Sequence, residues 1–305
     1  MKKLLLSCLF VVMAAVLTAL LVGCGGGGGS ADESTGMGRL TLGITDAPVD
    51  DATAVVVKFT AIELKPEGGN PISIALDPAP SIDLLDLADG SSRDLLVNRE
   101  VPAGHYEWVR LLIEAQQNTP TSYIDLSSGE RFPLFVPSGS DSGLKLIRGF
   151  DVAVGSASNF TIDFDLRKSV IAPPGQSPNY MLKPVLRIVD NLKVGTLQGT
   201  VAPALAATGC TPQVYLFTGP GVVPDDLDAA VAPDVDPLVS APVMLDPASG
   251  EFRFRIAFLE AGDYTATFTC DGALDTPEGE ETLVFTGTRN VTIAPNASTA
   301  IVFAP

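Results

Sequence analysis

The chain is poor in the residues that most enzymes put to work. Its 305 residues include one histidine, one tryptophan and four cysteines, and 36 aspartates and glutamates outnumber 19 lysines and arginines. The shortage of positive charge excludes one class first. A surface carrying a formal charge of −17 repels phosphate, whereas nucleic-acid binding needs a basic patch that neutralises it. The single histidine, His105, sits in an Ala-Gly-His-Tyr turn without a second imidazole to assist it. No Gly-x-Ser-x-Gly elbow occurs either, since Gly-Ser-Asp-Ser-Gly at 139–143 puts Ser142 in the wrong place. Nucleophilic catalysis therefore has no visible machinery, and no amphipathic helical period follows the first two dozen residues.

Those first residues have an order of their own. Lys2 and Lys3 precede an apolar run from Leu4 to Val22, broken only by Ser7 and Thr18, which is the plan of an export signal. The run also approaches the roughly 20 residues that span a bilayer, so an uncleaved membrane helix is the alternative. Its end, Leu21-Val22-Gly23-Cys24, resembles the lipobox of bacterial lipoproteins. The resemblance implies cleavage before Cys24 and acylation of that cysteine, which anchors the chain to a membrane without a spanning segment. Gly25, standing where an Asp would retain such a protein at the inner membrane, implies the outer membrane, on its periplasmic or its cell-surface face. Residues 1–23 are then signal, and 24–37 are the lipidated cysteine with a Gly-rich tether. Losing Lys2 and Lys3 takes the formal charge from −17 to −19.

Beyond the tether the chain reads as strands. RLTLGIT, AVVVKFTAIEL, YEWVRLLIEA and FTIDFDLR are alternating or β-branched runs separated by Gly, Pro, Asn and Ser. The alternation restarts after Asp190-Asn191, and QVYLFTG, EFRFRIAF, YTATFTC and TAIVFA repeat the plan. The expected architecture is all-β: two β-sandwich domains in tandem, residues 38–192 and 193–305. With Cys8 removed and Cys24 lipidated, Cys210 and Cys270 are left to form a disulfide or to remain as buried thiols; outside the cytoplasm the disulfide is the expectation. Both halves also contain Ala-Gly-x-Tyr opening a strand, at 103–106 and 261–264. The spacing allows each tyrosine to bury its ring while its hydroxyl reaches a backbone carbonyl.

The segments LTLGITDAPVDDATAVVVKFTAIEL, PAGHYEWVRL, SGLKLIRGF, FTIDFDLRKSV and YMLKPVLRIVDN follow one another over residues 38–192. In that order they resemble the bacterial family known as domain of unknown function 4382, found in secreted and lipid-anchored proteins. The resemblance implies a β-rich extracytoplasmic domain and brings no catalytic residues. Residues 193–305 resemble, more loosely, the transthyretin-like and carboxypeptidase-regulatory-like sandwich modules, which implies a binding or spacer role.

Three groups of residues are candidates for function. Alternation puts Asp163, Asp165 and Arg167 on the face of their strand opposite Phe160, Ile162, Phe164 and Leu166, to be met by Lys183 and Arg187 as solvent-exposed cross-strand pairs. Trp108 and Arg110 share the side of their strand opposite Val109, Leu111 and Ile113; they could stack a sugar ring or be covered by a neighbouring segment. Asp225, Asp226 and Asp228 crowd a Pro-rich loop as possible calcium ligands, against the simpler reading of a solvated acidic loop. The expectation is a non-catalytic binding, adhesion or structural module, attached to the membrane by lipid and meeting an envelope protein or carbohydrate, without a cofactor. The alternatives are a hydrolase that uses the surface carboxylates and a calcium-dependent carbohydrate-binding module. Replacing Cys24 with Ala is expected to leave the protein unprocessed or released in membrane fractionation, with the acyl mass absent from its N-terminal peptide.

Overall fold

A computed structural model describes residues 36–47, 52–137, 143–173, 178–206, 208–228, 235–276 and 279–305. The signal, Cys24 and the tether up to residue 35 lie outside the described residues, and Met37, counted with the tether, opens the first strand. The described chain from Gly36 onward forms one compact unit. It is nearly all β: its helical elements are a single turn at Leu85–Leu87 and another at Leu166–Ser169. Two hydrophobic cores form within it, one drawn from residues between Leu40 and Ile188, the other from residues between Leu197 and Phe303.

The first core lies between two sheets. A four-stranded sheet runs Leu186–Asp190, Ala157–Asp165, Met37–Ala47 and Arg93–Pro102, with its two central strands parallel. The facing sheet is organised around the 15-residue strand Ala52–Pro66, whose C-terminal part pairs with Gly104–Ile113 and whose N-terminal part pairs with Tyr123–Leu126. Alternate residues Val55, Val57 and Phe59 of that strand are fully buried, the period-2 pattern that its sequence carries. The second core lies between two four-stranded sheets, ordered Met244–Asp246, Glu251–Glu260, Val194–Val201, Ser298–Phe303 and Val239–Pro242, Gln213–Thr218, Gly262–Thr269, Phe285–Ile293. No sheet pairs a described strand before Asp190 with one after it.

The two Ala-Gly-x-Tyr turns make the same tyrosine hydrogen bond. Tyr106 Oη donates to the Pro102 carbonyl at 2.7 Å, and Tyr264 Oη donates to the Glu260 carbonyl at 2.7 Å, each four residues back. Both rings are buried, Tyr106 stacking on Phe150 at 5.1 Å. The turn glycine is needed most at Gly104, whose φ of +137° lies where a Cβ is disfavoured. Cys210 and Cys270 form a disulfide, joining the segments that flank paired strands 213–218 and 262–269.

Two expectations about strand pairing need correction. YMLKPVLRI is not one strand: Pro184 has no N–H to give a ladder, and the segment divides into Tyr180–Leu182, paired with Val170–Ile171, and Leu186–Asp190, paired with Phe160–Phe164. Asp163 does stand opposite Arg187, but Lys183 lies beyond the paired stretch and is exposed. The strand FTIDFD also ends at Asp165, where the chain turns into Leu166–Ser169, so Arg167 leaves the face assigned to it.

Phe164 is fully buried in the first core. Phe164→Ala is expected to cost about 3–5 kcal/mol, and Tyr264→Phe, which removes one hydrogen bond and keeps the ring, about 0.5–1.5 kcal/mol. Urea melts of the two variants should show that order.

Candidate functional site

Strands 157–165 and 213–218 are each buried on both faces. One face of each lines its own core; the other faces of the two strands meet the opposite half of the chain, forming a seam. The seam is why Asp163 is only 8% exposed and Thr161 1% exposed, in contrast to the solvent face that alternation implies. Sequence alternation shows which side chains share a face, but not what comes to cover it.

Arg167 is the centre of the seam. The helical turn Leu166–Ser169, capped by the Asp165 carboxylate accepting from Lys168 N at 3.2 Å, carries the guanidinium into the second half. There it pairs with Asp275 Oδ2 at 2.8 Å, both side chains being almost fully buried. Arg167 Nη1 also donates to Tyr215 Oη at 3.1 Å, and Nη2 donates to the Asp275 carbonyl at 2.9 Å. Asp275 accepts from the Tyr215 hydroxyl and, through Oδ1, from Leu227 N at 2.9 Å. Burial pushes the Tyr215 hydroxyl well above its ordinary pKa, so it stays a neutral donor. Lys168 Nζ donates to the Pro237 carbonyl at 2.9 Å, and Arg255 Nη1 to the Gly90 carbonyl at 2.5 Å, adding two crossings.

Beside this network the seam opens into a cleft of about 420 Å³. Asp163, Asp165, Lys168 and Arg187 line it from the first half, and Phe217, Asp236 and Leu238 from the second. The two carboxylates once assigned to a flat solvent face therefore stand in a concavity. Their charges are already committed: Arg187 Nε donates to Asp163 Oδ2 at 2.5 Å, and Asp165 caps the helical turn and meets Lys168 Nζ at 3.5 Å. Burial raises the Asp165 carboxyl above the ordinary carboxylate range, while Lys168 opposes that shift. What remains open to a ligand is chiefly wall: Val185 is 42% exposed and Val235 47% exposed at the cleft.

The other candidates are dispersed. Trp108 is half-buried between two cations, with the Arg110 guanidinium 4.9 Å and Lys145 Nζ 4.5 Å from its ring. Arg110 is itself held by Glu63 at 2.9 Å, so this side of the sheet is a cation–π and ion-pair lattice. His105 meets Asp151 at 2.9 Å on the exposed side of paired strands 104–113 and 150–152. The acidic loop is not solvated as expected: Asp226 and Asp228 are 2% and 1% exposed. Asp275, Glu280 and Glu281 come close to it, bringing together Asp225, Asp226 and Glu280 and, around the same Asp226, Asp275 and Glu281. Asp228 joins neither group; its amide donates to Asp236 Oδ1 at 3.2 Å. Asp275, Glu280 and Glu281 are the residues that sequence reading missed, and Arg167 is one it placed on the wrong face. Their only signal was acidity in a Pro- and Gly-rich segment, and their partners lie at least 48 positions away in most cases.

Arg167→Met strands the buried Asp275 carboxylate and is expected to cost about 3–5 kcal/mol in urea melts. Asp165→Asn has the opposite sign. An acid with a raised folded-state pKa holds its proton more tightly when folded, so its ionisation takes stability away as pH rises from the unfolded value of about 4 towards the folded one. Asn keeps the N-cap. The variant should therefore melt at or above the wild-type temperature at pH 7, with the difference vanishing near about pH 4.

Comparison with known proteins bears on the first half. No curated protein matches the chain. Solved structures to which the chain is similar include the TIE protein of Bacillus anthracis, at 14% identity over 88% of this chain and 33% of that one, with a TM-score of 0.19. A leucine-rich repeat protein from Bacteroides thetaiotaomicron shares 12% identity over 88% of this chain and 26% of that one, with a TM-score of 0.20. GBS52, the minor pilin of Streptococcus agalactiae, shares 11% identity over 86% of this chain and 94% of that one, with a TM-score of 0.19. This chain thus spans about a third and a quarter of the first two. Residues 37–184, which supply most of the first core, match the model of the family described as Domain of unknown function (DUF4382).

Proposed function

We propose that the chain is a lipid-anchored protein of the bacterial outer membrane whose β units form a non-catalytic module for binding, adhesion or structural display. The carrying observation is how the cleft carboxylates are used. A general acid and base must be free to exchange protons with a substrate, and Asp163 and Asp165 are instead tied to Arg187 and to the Lys168 turn. The cleft offers a partner apolar wall with a charged rim, the composition of a recognition site. An acidic composition and the glycine run after Cys24 support presentation of that site away from the membrane, to an envelope protein or a carbohydrate.

The two β halves act here as separate modules, residues 38–192 and 193–305, locked at the seam. The test is capture of envelope proteins and glycans by the wild-type chain and by Val185→Asp, which charges the open wall without touching the Arg167 network. At least about tenfold weaker capture by the variant supports the cleft as the recognition site, since a buried charge opposing an apolar contact costs more than 1.4 kcal/mol. Equal capture removes the cleft from the proposal. Hydrolysis of a glycan or ester that Asp163→Asn abolishes would replace the binding reading with the hydrolase one.

A further inference from the structure

We propose that Asp225, Asp226 and Glu280 form a binding site for one calcium ion. The first observation is convergence. One carboxylate oxygen from each of these residues lies within 4.8 Å of the others, and Asp226 stands in the same relation to Asp275 and Glu281. Calcium holds oxygens at about 2.3–2.6 Å, so ligands on opposite sides of one ion stand about 5 Å apart at most; the spacing fits a single ion.

The second observation is independent of the clustering. Asp226 is 2% exposed, its Oδ2 accepts from the Glu281 amide, and its Oδ1 is buried with no hydrogen-bond partner. A carboxylate oxygen withdrawn from water without a donor is costly, and native structures rarely keep one without an ion or water to satisfy it. Protein cations do not supply the need. Among the four basic residues after Asn191, Lys193 pairs with Asp190, Arg253 with Glu251 and Asp246, and Arg255 and Arg289 donate to backbone carbonyls. Arg167 meets the cluster at Asp275.

The acids that converge with Asp226 on its other side are held in place by contacts within the seam and their own loop. Asp275 is held by Arg167, Tyr215 and Leu227 N, and Glu281 accepts from Thr276 N at 3.1 Å and Thr276 Oγ1 at 2.9 Å. They position the loop; Asp226 Oδ1 and the Asp225 and Glu280 carboxylates that converge on it are the proposed ligands. An all-oxygen, all-carboxylate set without cysteine or histidine suits a hard cation and excludes a zinc-type site. Ligands drawn from two irregular segments, residues 225–226 and 280, suit calcium's variable coordination better than magnesium's strict octahedron. The bound ion would clamp these segments together beside the seam. The inference does not depend on what the cleft recognises.

Calorimetry and thermal melting on the full chain in detergent, stripped with EDTA, test it with the cation alone. Calcium should bind at one site with a Kd of about 10⁻⁴–10⁻³ M, the range of extracellular modules, and should raise the melting temperature at about 5 mM. Glu280→Gln, at an exposed position that leaves folding intact, and Asp226→Asn should each weaken binding at least about tenfold. Absence of both heat and stabilisation in the wild type overturns the site. So does a Glu280→Gln variant that binds as tightly as wild type, and that variant decides the matter even if Asp226→Asn does not fold. Equal stabilisation by magnesium at the same concentration overturns the assignment to calcium.

Discussion

The structure depends on one buried ion pair, Arg167 with Asp275. Each half has its own core, yet the faces of strands 157–165 and 213–218 that look away from those cores would be wet if the halves stood apart. Packing them together hides apolar surface such as Phe217, but it also hides polar groups, and those need partners. One guanidinium supplies several: the Asp275 carboxylate and carbonyl and the Tyr215 hydroxyl. Its planar fork suits this use better than a lysine would, because its N–H groups are directed before the partner arrives. Such a network adds little net stability over an apolar seam of equal volume. It acts on specificity, since any other register of the halves leaves a charge buried and alone.

The cleft is a by-product of the same seam. The cleft is lined by both halves, beside the contacts that join them. Asp163 and Asp165 lie at that margin because the strand carrying them continues directly into the Arg167 turn. Their ion pairs with Arg187 and Lys168 extend the seam's polar network to the rim. Recognition at such a place benefits from rigidity, because walls already fixed by the seam lose little entropy when a partner docks.

How far the sequence revealed this follows from the range of each interaction. Local signals were readable. Period-2 alternation marked Phe160, Ile162 and Phe164 as core, and Ala-Gly-x-Tyr marked both tyrosine turns, since the hydroxyl and its carbonyl are four residues apart. The disulfide was readable by counting thiols. The unbroken run Gln213-Val-Tyr-Leu-Phe217 even carried the sign of a strand buried on both faces. TIDFDLR did not, because its buried outer face is polar, and polar alternation looks the same whether water or Tyr215 lies opposite. Pro184 was visible as a break, but that Lys183 would fall outside the pairing depended on where the register restarted, at Leu186.

The acidic loop shows the same limit from the electrostatic side. Composition placed 14 acids and four cations after Asn191, and local crowding of aspartates suggested either water or a metal. Neither reading could include Glu280 and Glu281, which reach Asp226 only when the chain folds back across some 55 residues. Once they do, the balance changes. Crowded carboxylates in water repel weakly because solvent screens them, whereas the same groups beside a buried Asp226 repel in a medium that screens far less. A protein can relieve that repulsion by protonating an acid, by opening the loop or by taking up a cation. Opening the loop would pull Asp275 from Arg167, so the seam itself resists that route and leaves charge neutralisation as the cheaper one.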